Sequence, residues 1–414
     1  MRRAIIVLLA VLWVAGCTTR PPIKLPGTLS PLMPQDIRVA LTTAPGTYRL
    51  VFTTPVAVHL EEAVYILDAS IGELELQLTR YGITIKNQRR YLRLPFPVTL
   101  VFESRDPQPM IRWQGKPYQG TLTLHADDGE VAAVLTVPLD IYVQSVLPAE
   151  MPSAKKQYLE ALKAQAVAIR TYALWHVHHP RHRWFDVYGD VRDQVLGPYG
   201  DAWQNSLVHE AVTATRGMML TTAQMPHQPV RIQYHSTCGG AFELVGDSVL
   251  ASRVKKDERL GEENCVISPL HRWVRELSVE QLVNNLMAEG ILPQQHGTHL
   301  LENGAQITLS VADRTVSGRS KILTISLPDT VVQVEGYAIR RILQSPNGGA
   351  LPSNYFFLFP NPQNPRKFYI FGAGYGHGRG LCQWGALGQA LEGVEFREIL
   401  KFYYPNLQVS GVLP

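Results

Sequence analysis

The sequence predicts an α+β protein, with a β-rich N-terminal part over residues 35–139 and a core over 140–410 that combines one long helix, mixed β-sheet and a glycine-rich cleft segment. Three observations support this prediction. Short alternating apolar runs fill the first part. One extended helical repeat of apolar residues opens the second. The composition, 45% hydrophobic and 18% charged in 414 residues, is that of a chain able to bury a large core.

In the β-rich part, alternating apolar and polar residues predict strands. Turn-forming sequences separate them, Ala-Pro-Gly at 44–46 and Asp-Asp-Gly at 127–129. The predicted strand runs are 37–43, 47–60, 99–104 and 120–139.

In the core, apolar residues at helical spacing from Leu159 to Ala173 predict a long helix that begins at an N-cap, Ser153, and ends at 176–180. Ser278 and Gln281 have capping-box spacing and predict a second helix start. The remaining predictions are helices over 209–217, 278–288 and 394–405, and strands over 231–240, 305–315, 321–328 and 330–336.

The N-terminus has the form of an export signal: two arginines, a short apolar run and a small-residue site before Cys17. The apolar run is too short for a permanent membrane span. Its ending resembles a bacterial lipobox, whose cysteine becomes the lipid-modified first residue; a plain secretory signal is the alternative. We expect a signal over 1–17, a tether over 18–34, and a membrane partnership through lipidated Cys17 in the bacterial cell envelope. In a Gram-negative source, Thr18 favours the outer membrane, facing the periplasm.

The charge pattern argues against a nucleic-acid partner. The net charge is +4, and no run of five or more Lys or Arg is present. The glycine-rich stretch 372–393 also lacks the lysine signature of a phosphate-binding loop. An acidic polymer or a membrane surface remains compatible with this charge.

Glu150 lies between Pro148 and Pro152, which we expect to hold the chain extended just before the long helix. The positive end of that helix would lower the pKa of the carboxyl group, whereas a general acid needs a pKa raised by burial. Glu150 is therefore a candidate acid or a simple helix cap. Lys163 and Arg170, seven residues apart on one helix face, are candidates for an anionic ligand or a solvated stripe.

Five ordered motifs resemble the stage II sporulation protein D family, which includes the amidase enhancers called LytB. The resemblance runs from about residue 37 to 407 within one domain over 35–410, and Ile339 replaces a leucine of the family pattern. The motifs are PAEMP with LEALKAQAVAIRTYAL (148–174), YHSTCGG (234–240), SGR (317–319), GYAIRRIL (336–343) and GYGHGRGLCQWGA with EILKFYYP (374–405).

The resemblance implies a lytic transglycosylase that cleaves peptide-stripped glycan strands of peptidoglycan, with Glu150 as its catalytic acid. One carboxylate suffices when the 6-hydroxyl of the sugar is the internal nucleophile, whereas hydrolytic glycosidases usually need two. The alternative is a non-catalytic amidase enhancer that binds peptidoglycan and stimulates a cell-wall amidase. The implied substrate-binding residues are Lys163, Arg170, Asp186, Gln194, His235, Ser236, Gly376, His377 and Gln383.

Some family members bind zinc through one histidine and two cysteines after the long helix. Here Tyr188 and Asp193 stand at the cysteine positions and His182 remains, so we expect no metal or other cofactor at that place. A site in the histidine cluster at 176–182 is the weaker alternative.

The resemblance also pairs Cys238 with Cys265 as a candidate disulfide, worth about 3 kcal/mol in the chain-entropy model. A zinc pair with His235 is the alternative, and Cys382 is then an unpaired thiol. A cysteine hydrolase built on Cys382 and His377 is a further alternative. Otherwise the glycines around His377 and Gln383 suit a floor on which a glycan approaches the backbone, and Trp384 stacks on a sugar or packs.

Overall fold

The computed structural model describes residues 36–67, 69–87, 91–104, 111–200, 205–243, 254–256, 264–345 and 349–411. The predicted signal, Cys17 and the tether lie outside the described residues. Within the described ranges, no helix combines the length and the apolar character needed to cross a membrane. The α+β prediction is confirmed.

Two antiparallel-rich sheets form the N-terminal part. The larger has the order β13-β1-β12-β11-β8-β3-β4, and the smaller has the order β10-β9-β2-β5-β6-β7. The bounds are β1 (Asp36–Thr42), β2 (Gly46–Phe52), β3 (Val56–Leu60), β4 (Ala63–Leu67), β5 (Glu73–Thr79), β6 (Gly82–Lys86), β7 (Tyr91–Pro95), β8 (Val98–Ser104), β9 (Ile111–Trp113), β10 (Lys116–Tyr118), β11 (Thr121–Asp127), β12 (Glu130–Pro138) and β13 (Val187–Tyr188).

Alternation along these strands explains how the two sheets share a core. In β5, Leu74, Leu76 and Leu78 are buried while the residues between them are exposed. The predicted run 47–60 is two strands in different sheets, because the chain turns at Thr53–Pro55 and proline cannot donate a ladder hydrogen bond.

The longest helix, Leu159–His178, is buried among other helices. The helices are α1 (Leu139–Glu150), α2 (Leu159–His178), α3 (Ser206–Ala214), α4 (Val279–Ala288), α5 (Gln294–Glu302), α6 (Tyr337–Ile342), α7 (Gln383–Leu391) and α8 (Phe396–Tyr403). Helix α2 packs against α1, α3, α7 and α8, and most of its residues from Ala161 to Leu174 are buried. Its main neighbours are therefore helices, together with the strand at 218–221.

The long helix begins later than predicted. Ser153 does not cap it, because the Ser153 carbonyl and hydroxyl oxygens accept hydrogen bonds from the side-chain amide of Asn205 at 3.2 and 2.9 Å. A 3-10 turn at Lys156–Tyr158 precedes α2 instead. Helix α1 was not predicted, and Pro148, expected to be extended, lies in its last turn.

The remaining strands are short or form small sheets. They are β14 (Met218–Thr221), β15 (Tyr234–His235), β16 (Ala241–Glu243), β17 (Val254–Lys256), β18 (Arg272–Ser278), β19 (Thr308–Arg314), β20 (Ser320–Ser326), β21 (Val331–Glu335), β22 (Phe356–Asn361), β23 (Asn364–Ala373), β24 (Leu381–Cys382) and β25 (Gln408–Gly411). The predicted capping box at Ser278 is confirmed, as are strands β19 to β21 and helix α8.

Two apolar cores result. The first joins the N-terminal sheets to α1, α2, α3, α7 and α8. The second lies within residues 273–370 and surrounds α4. The predicted strand 231–240 shrinks to β15, which pairs in parallel with β24. That pairing joins the YHSTCGG motif to the glycine-rich segment.

Candidate active site

Glu150 is the last residue of α1, where the chain leaves the helix through the extended residue Met151. Its carboxyl group is partly buried. The backbone N–H of Val195 donates to Oε1 at 2.9 Å, and the side-chain amide of Gln383 donates to Oε2 at 3.4 Å. Three distant segments of the chain therefore meet at one carboxyl group.

Burial raises the pKa of Glu150 above its usual value, and the hydrogen bonds from Val195 and Gln383 oppose that rise. Among the described residues, no lysine or arginine pairs with this carboxylate. The expectation of a lowered pKa at a helix N-terminus is wrong, because Glu150 lies at the C-terminal, negative end of α1. That position disfavours the ionised form further, as a general acid requires.

Gln194 supports the segment that carries Val195. Its side-chain oxygen accepts from the Tyr142 hydroxyl at 2.8 Å, and its amide donates to the Tyr234 hydroxyl at 2.9 Å. Burial and the charge of Glu150 raise the pKa of both phenols well above the usual value. Both tyrosines are therefore neutral. The predicted cleft residue Gln194 thus lies one residue from a direct contact of Glu150.

The segment itself is anchored from both sides. Gly197 donates its N–H to the Ser145 carbonyl of α1 at 3.2 Å, and a side chain at Gly197 would collide with that carbonyl. Asp193, whose side chain is fully buried, pairs with Arg181 and accepts from the Tyr172 hydroxyl. These contacts fix the Val195 amide against the end of α1.

The adjoining wall is formed by β15 and β24, since Gln383 directly follows β24. The rings of His235 and His377 lie 5.6 Å apart, and the Trp384 N–H donates to the Ser236 carbonyl at 3.0 Å. The side chain of His377 reaches solvent, yet protein atoms surround much of it. The resulting loss of hydration and the charge of Arg379 lower the pKa of His377 to about 4. This histidine is neutral at neutral pH.

The glycines of this wall do not form an open floor. At Gly376, where φ is 103°, an added Cβ would lie 3.0 Å from the Cβ of His235, and the amide already donates to the Pro352 carbonyl at 2.9 Å. At Gly378 the added atom would collide with the Arg319 guanidinium. On the Cβ side of both glycines the space is therefore taken by the protein's own atoms, and the binding of a glycan at Gly376 stays a prediction.

Three predicted binding residues are not brought to Glu150. Arg170 is buried and bonds to Asp140 at the first turn of α1, about 15 Å along that helix from Glu150. Asp186 is buried in an ion pair with Arg38 at 2.6 Å. Lys163 pairs with Glu160 one turn away at 2.6 Å. All three side chains have structural partners.

The family's zinc position does not fit a metal in this chain. The Arg192 guanidinium lies 3.6 Å from the centre of the Tyr188 ring, and the Asp193 carboxylate forms an ion pair with Arg181. His182 stacks on Phe185 and lies 3.3 Å from a Glu130 oxygen. No thiolate is supplied there.

Cys238 and Cys265, the candidate disulfide pair, lie side by side. Cys238, Cys265 and Cys382 are free and buried, and the sulfurs of Cys238 and Cys265 are 3.4 Å apart without a bond. Cys382 is a neighbour of both. A Cys382 hydrolase is disfavoured because this thiol is fully buried, while His377 accepts instead from the Arg379 N–H at 3.1 Å.

Sequence reasoning missed Tyr142, Tyr234 and the Val195 amide. Tyr142 belongs to the apolar repeat of Leu139, Val143 and Val146, a spacing that would also have indicated α1. A backbone N–H has no sequence signal of its own.

Comparisons with known proteins agree with the motifs. The Stage II sporulation protein (SpoIID) family matches residues 127–222, which include α1, Glu150 and α2. A domain of unknown function (DUF8618) matches residues 242–380, which contain the second core.

The relatives span most of the chain at modest identity. An uncharacterized protein of Brachyspira hyodysenteriae is 28% identical over 90% of this chain and 92% of its own length. The amidase enhancer of Bacillus subtilis is 24% identical over 90% of this chain, which spans only 55% of the enhancer. Stage II sporulation protein D of Bacillus subtilis is 24% identical over 67% of this chain and 76% of its own length. The resemblance to the stage II sporulation protein D and amidase-enhancer family is confirmed, by a family model over residues 127–222 and by relatives that carry both names.

Proposed function

We propose that this chain is a lytic transglycosylase that cleaves peptide-stripped glycan strands of peptidoglycan, with Glu150 as general acid and base. The supporting observation is the raised pKa of a partly exposed carboxyl group that has no cationic partner among the described residues. By contrast, the buried carboxylates of Asp193 and Glu243 are paired with Arg181 and Arg379. In both pairs an arginine side chain occupies the carboxylate oxygens, which leaves them less accessible to a substrate.

The proposed reaction uses one carboxyl group twice. Protonated Glu150 gives its proton to the glycosidic oxygen as the bond from that oxygen to the anomeric carbon breaks. The 6-hydroxyl oxygen of the same sugar then bonds to the anomeric carbon, and its proton passes to the Glu150 carboxylate. The products are a free 4-hydroxyl end and a 1,6-anhydro end. No water is consumed, and Glu150 returns to its protonated form.

The surrounding groups tune and orient this carboxyl group. Val195 and Gln383 donate to its two oxygens and stabilise the transient carboxylate. Neutral His377, with Ser236, lies on the adjoining wall and is the candidate hydrogen-bonding surface for sugar hydroxyls. The proposal includes an export signal and lipidation at Cys17, which would hold this cleft beside the cell wall.

Mass analysis of products from denuded glycan tests the proposal. The wild type is expected to release 1,6-anhydro ends, and Glu150→Gln is expected to lose roughly 100- to 10,000-fold in rate. Glu289→Gln is the matched control, because Glu289 caps the C-terminal end of another helix and pairs with Arg341. Wild-type protein that binds glycan but releases no 1,6-anhydro ends would refute the catalytic proposal.

A second function, amidase enhancement, is favoured by one observation: the relative named amidase enhancer aligns with 90% of this chain. In that case the cleft binds peptidoglycan, and the chain stimulates a separate cell-wall amidase. Adding the Glu150→Gln variant to a cell-wall amidase separates the two functions. Full stimulation by this variant, with no anhydro ends from the wild type, would favour enhancement.

A further inference from the structure

Three buried cysteine sulfurs meet where β15, a 3-10 turn and the start of α7 come together. The sulfurs of Cys238, Cys265 and Cys382 all lie within 4.8 Å of one another. Among the described residues, no other group of three or more histidine, cysteine or acidic side chains brings its ligand atoms this close together. His271 adds a nitrogen, since its Nδ1 lies 3.4 Å from the sulfur of Cys265.

We propose that Cys238, Cys265 and Cys382 bind one structural zinc ion, with His271 as the fourth ligand. Tetrahedral zinc with bonds of about 2.3 Å holds its sulfur ligands about 3.8 Å apart. This value lies between the 3.4 Å that separates Cys238 from Cys265 and the 4.8 Å within which all three sulfurs lie. A disulfide would join only two of the three sulfurs, at about 2.05 Å. The thiol of Cys382 would then lie next to that bond and would take no part in it.

Two backbone N–H groups point at the sulfur of Cys382. Its sulfur accepts backbone N–H bonds from Cys238 at 3.1 Å and from Gly385 at 3.2 Å. It is also the N-cap of α7, where the helix dipole favours negative charge. Backbone N–H bonds to sulfur orient the thiolates of metal sites in the same way.

The loaded site would carry little net charge. Three thiolates, one neutral imidazole and one Zn²⁺ carry a single net negative charge. Buried Arg319 lies beside the cluster and donates to the Cys238 carbonyl at 2.8 Å. Without a cation, buried cysteines stay neutral thiols, so binding of the ion is coupled to loss of the thiol protons.

The ligand set indicates zinc in a structural role. Soft thiolates with one imidazole suit zinc, whereas carboxylates and carbonyls suit magnesium or calcium. All three cysteines are at most 6% exposed, so the site offers no open position for a substrate. The ligand set uses His271 in place of the His235 considered above, because the Nδ1 of His271 lies 3.4 Å from the Cys265 sulfur.

The ion would fix one wall of the cleft. Cys238 follows Ser236 closely, and Cys382 immediately precedes Gln383, whose amide reaches Glu150. Cys265 ties the 3-10 turn at Asn264–Ile267 to the same point. The inference stands independently of the proposed activity, because metal content is measured without any glycan substrate.

The test is metal analysis of the purified full-length chain by mass spectrometry, with peptide mapping under non-reducing conditions. We expect about one zinc per chain and no Cys238–Cys265 disulfide. Replacement by Co²⁺ should give the intense visible bands of a tetrahedral thiolate site. In the wild type, all three thiols should resist alkylation until a chelator is added.

Three variants sharpen the test. Cys382→Ser should lose the zinc, although it would leave a disulfide between the other two cysteines intact. His271→Asn should weaken zinc binding by at least 10- to 100-fold, whereas His235→Asn should retain it. A wild-type chain without zinc, or with a Cys238–Cys265 disulfide, would overturn the proposal. Wild-type analysis keeps this outcome decisive even if a variant fails to fold.

Discussion

The side-chain amide of Gln383 donates a hydrogen bond to the carboxyl group of Glu150 across 233 positions of sequence. Gln383 is the first residue of α7 and Glu150 the last of α1. The glycine-rich motif, which contains Gln383, therefore contacts the carboxyl group of the PAEMP motif directly. This contact opposes the effect of burial on the Glu150 pKa, and removing either partner has a defined consequence.

Glu150→Gln is predicted to stabilise the fold at neutral pH. Burial raises the folded-state pKa of Glu150 above 4.5, so between the unfolded and folded pKa values the native state holds more protons. The Glu150 contribution to stability is therefore largest below the unfolded pKa and is lost as pH rises through the folded pKa. Thermal unfolding should show a higher Tm for Glu150→Gln at pH 8, with the gap closing towards pH 4.

Glu289→Gln is the control for this pH series, because Glu289 is paired with Arg341 at 2.7 Å. It should gain no stability at pH 8. A Glu150→Gln variant that is less stable than the wild type at pH 8, by a margin independent of pH, would contradict the assigned burial effect.

Gln383→Met is predicted to raise the Glu150 pKa further, because the lost hydrogen bond favours the carboxylate form. If Glu150 is the acid, the alkaline limb of the pH profile of kcat/KM should move to higher pH. Carbon NMR of the labelled carboxyl group should show the same shift without any substrate.

Gln389→Met is the matched control for Gln383→Met. Gln389 is buried in the same helix, and neither of its side-chain polar atoms has a hydrogen-bond partner among the described residues. Its replacement should leave the Glu150 titration unchanged. An unmoved titration in Gln383→Met would show that this amide does not act on Glu150.

The sequence motifs singled out Glu150, Gln194 and Gln383, which the structure brings near one another, but not the geometry that joins them. The identity of Glu150 followed from its motif, but its electrostatics were predicted with the wrong sign. Pro148 and Pro152 suggested an extended segment, whereas Pro148 is tolerated in the last turn of α1, where the loss of its own N–H removes a single helix bond. The contacts from Val195 and Gln383 depend on tertiary packing, which no local pattern encodes.

The glycine-rich segment shows a second feature that the sequence does not predict. Positive φ at Gly376 and Gly378 is what glycine composition predicts. Composition does not say whose atoms occupy the space. Here these are the atoms of His235 and the Arg319 guanidinium, which lie far away in sequence.

Arg170→Met is predicted to destabilise the fold by about 3 kcal/mol. The Arg170 guanidinium donates to Asp140 at 2.9 Å and to the Thr215 carbonyl at 2.8 Å, and its removal leaves buried acceptors without this donor. Lys163→Met, on the same helix face, should lose at most about 1 kcal/mol, since its partner Glu160 is partly exposed. Urea unfolding measures both. A folded Arg170→Met variant of wild-type stability that binds glycan weakly would instead assign Arg170 to the substrate.

Gly380→Ala is predicted to destabilise the fold by about 2–5 kcal/mol, through both backbone strain and a collision. Its φ is 66°, and an added Cβ would strike the Gln233 carbonyl oxygen beside β15. Gly393→Ala is the matched control: its φ is 77°, but no atom lies within 4 Å of the added Cβ, so about 1 kcal/mol is expected. The difference in urea unfolding free energy between the two variants measures the close approach of β24 to β15. Equal losses would show that backbone conformation alone, and not this contact, selects glycine at position 380.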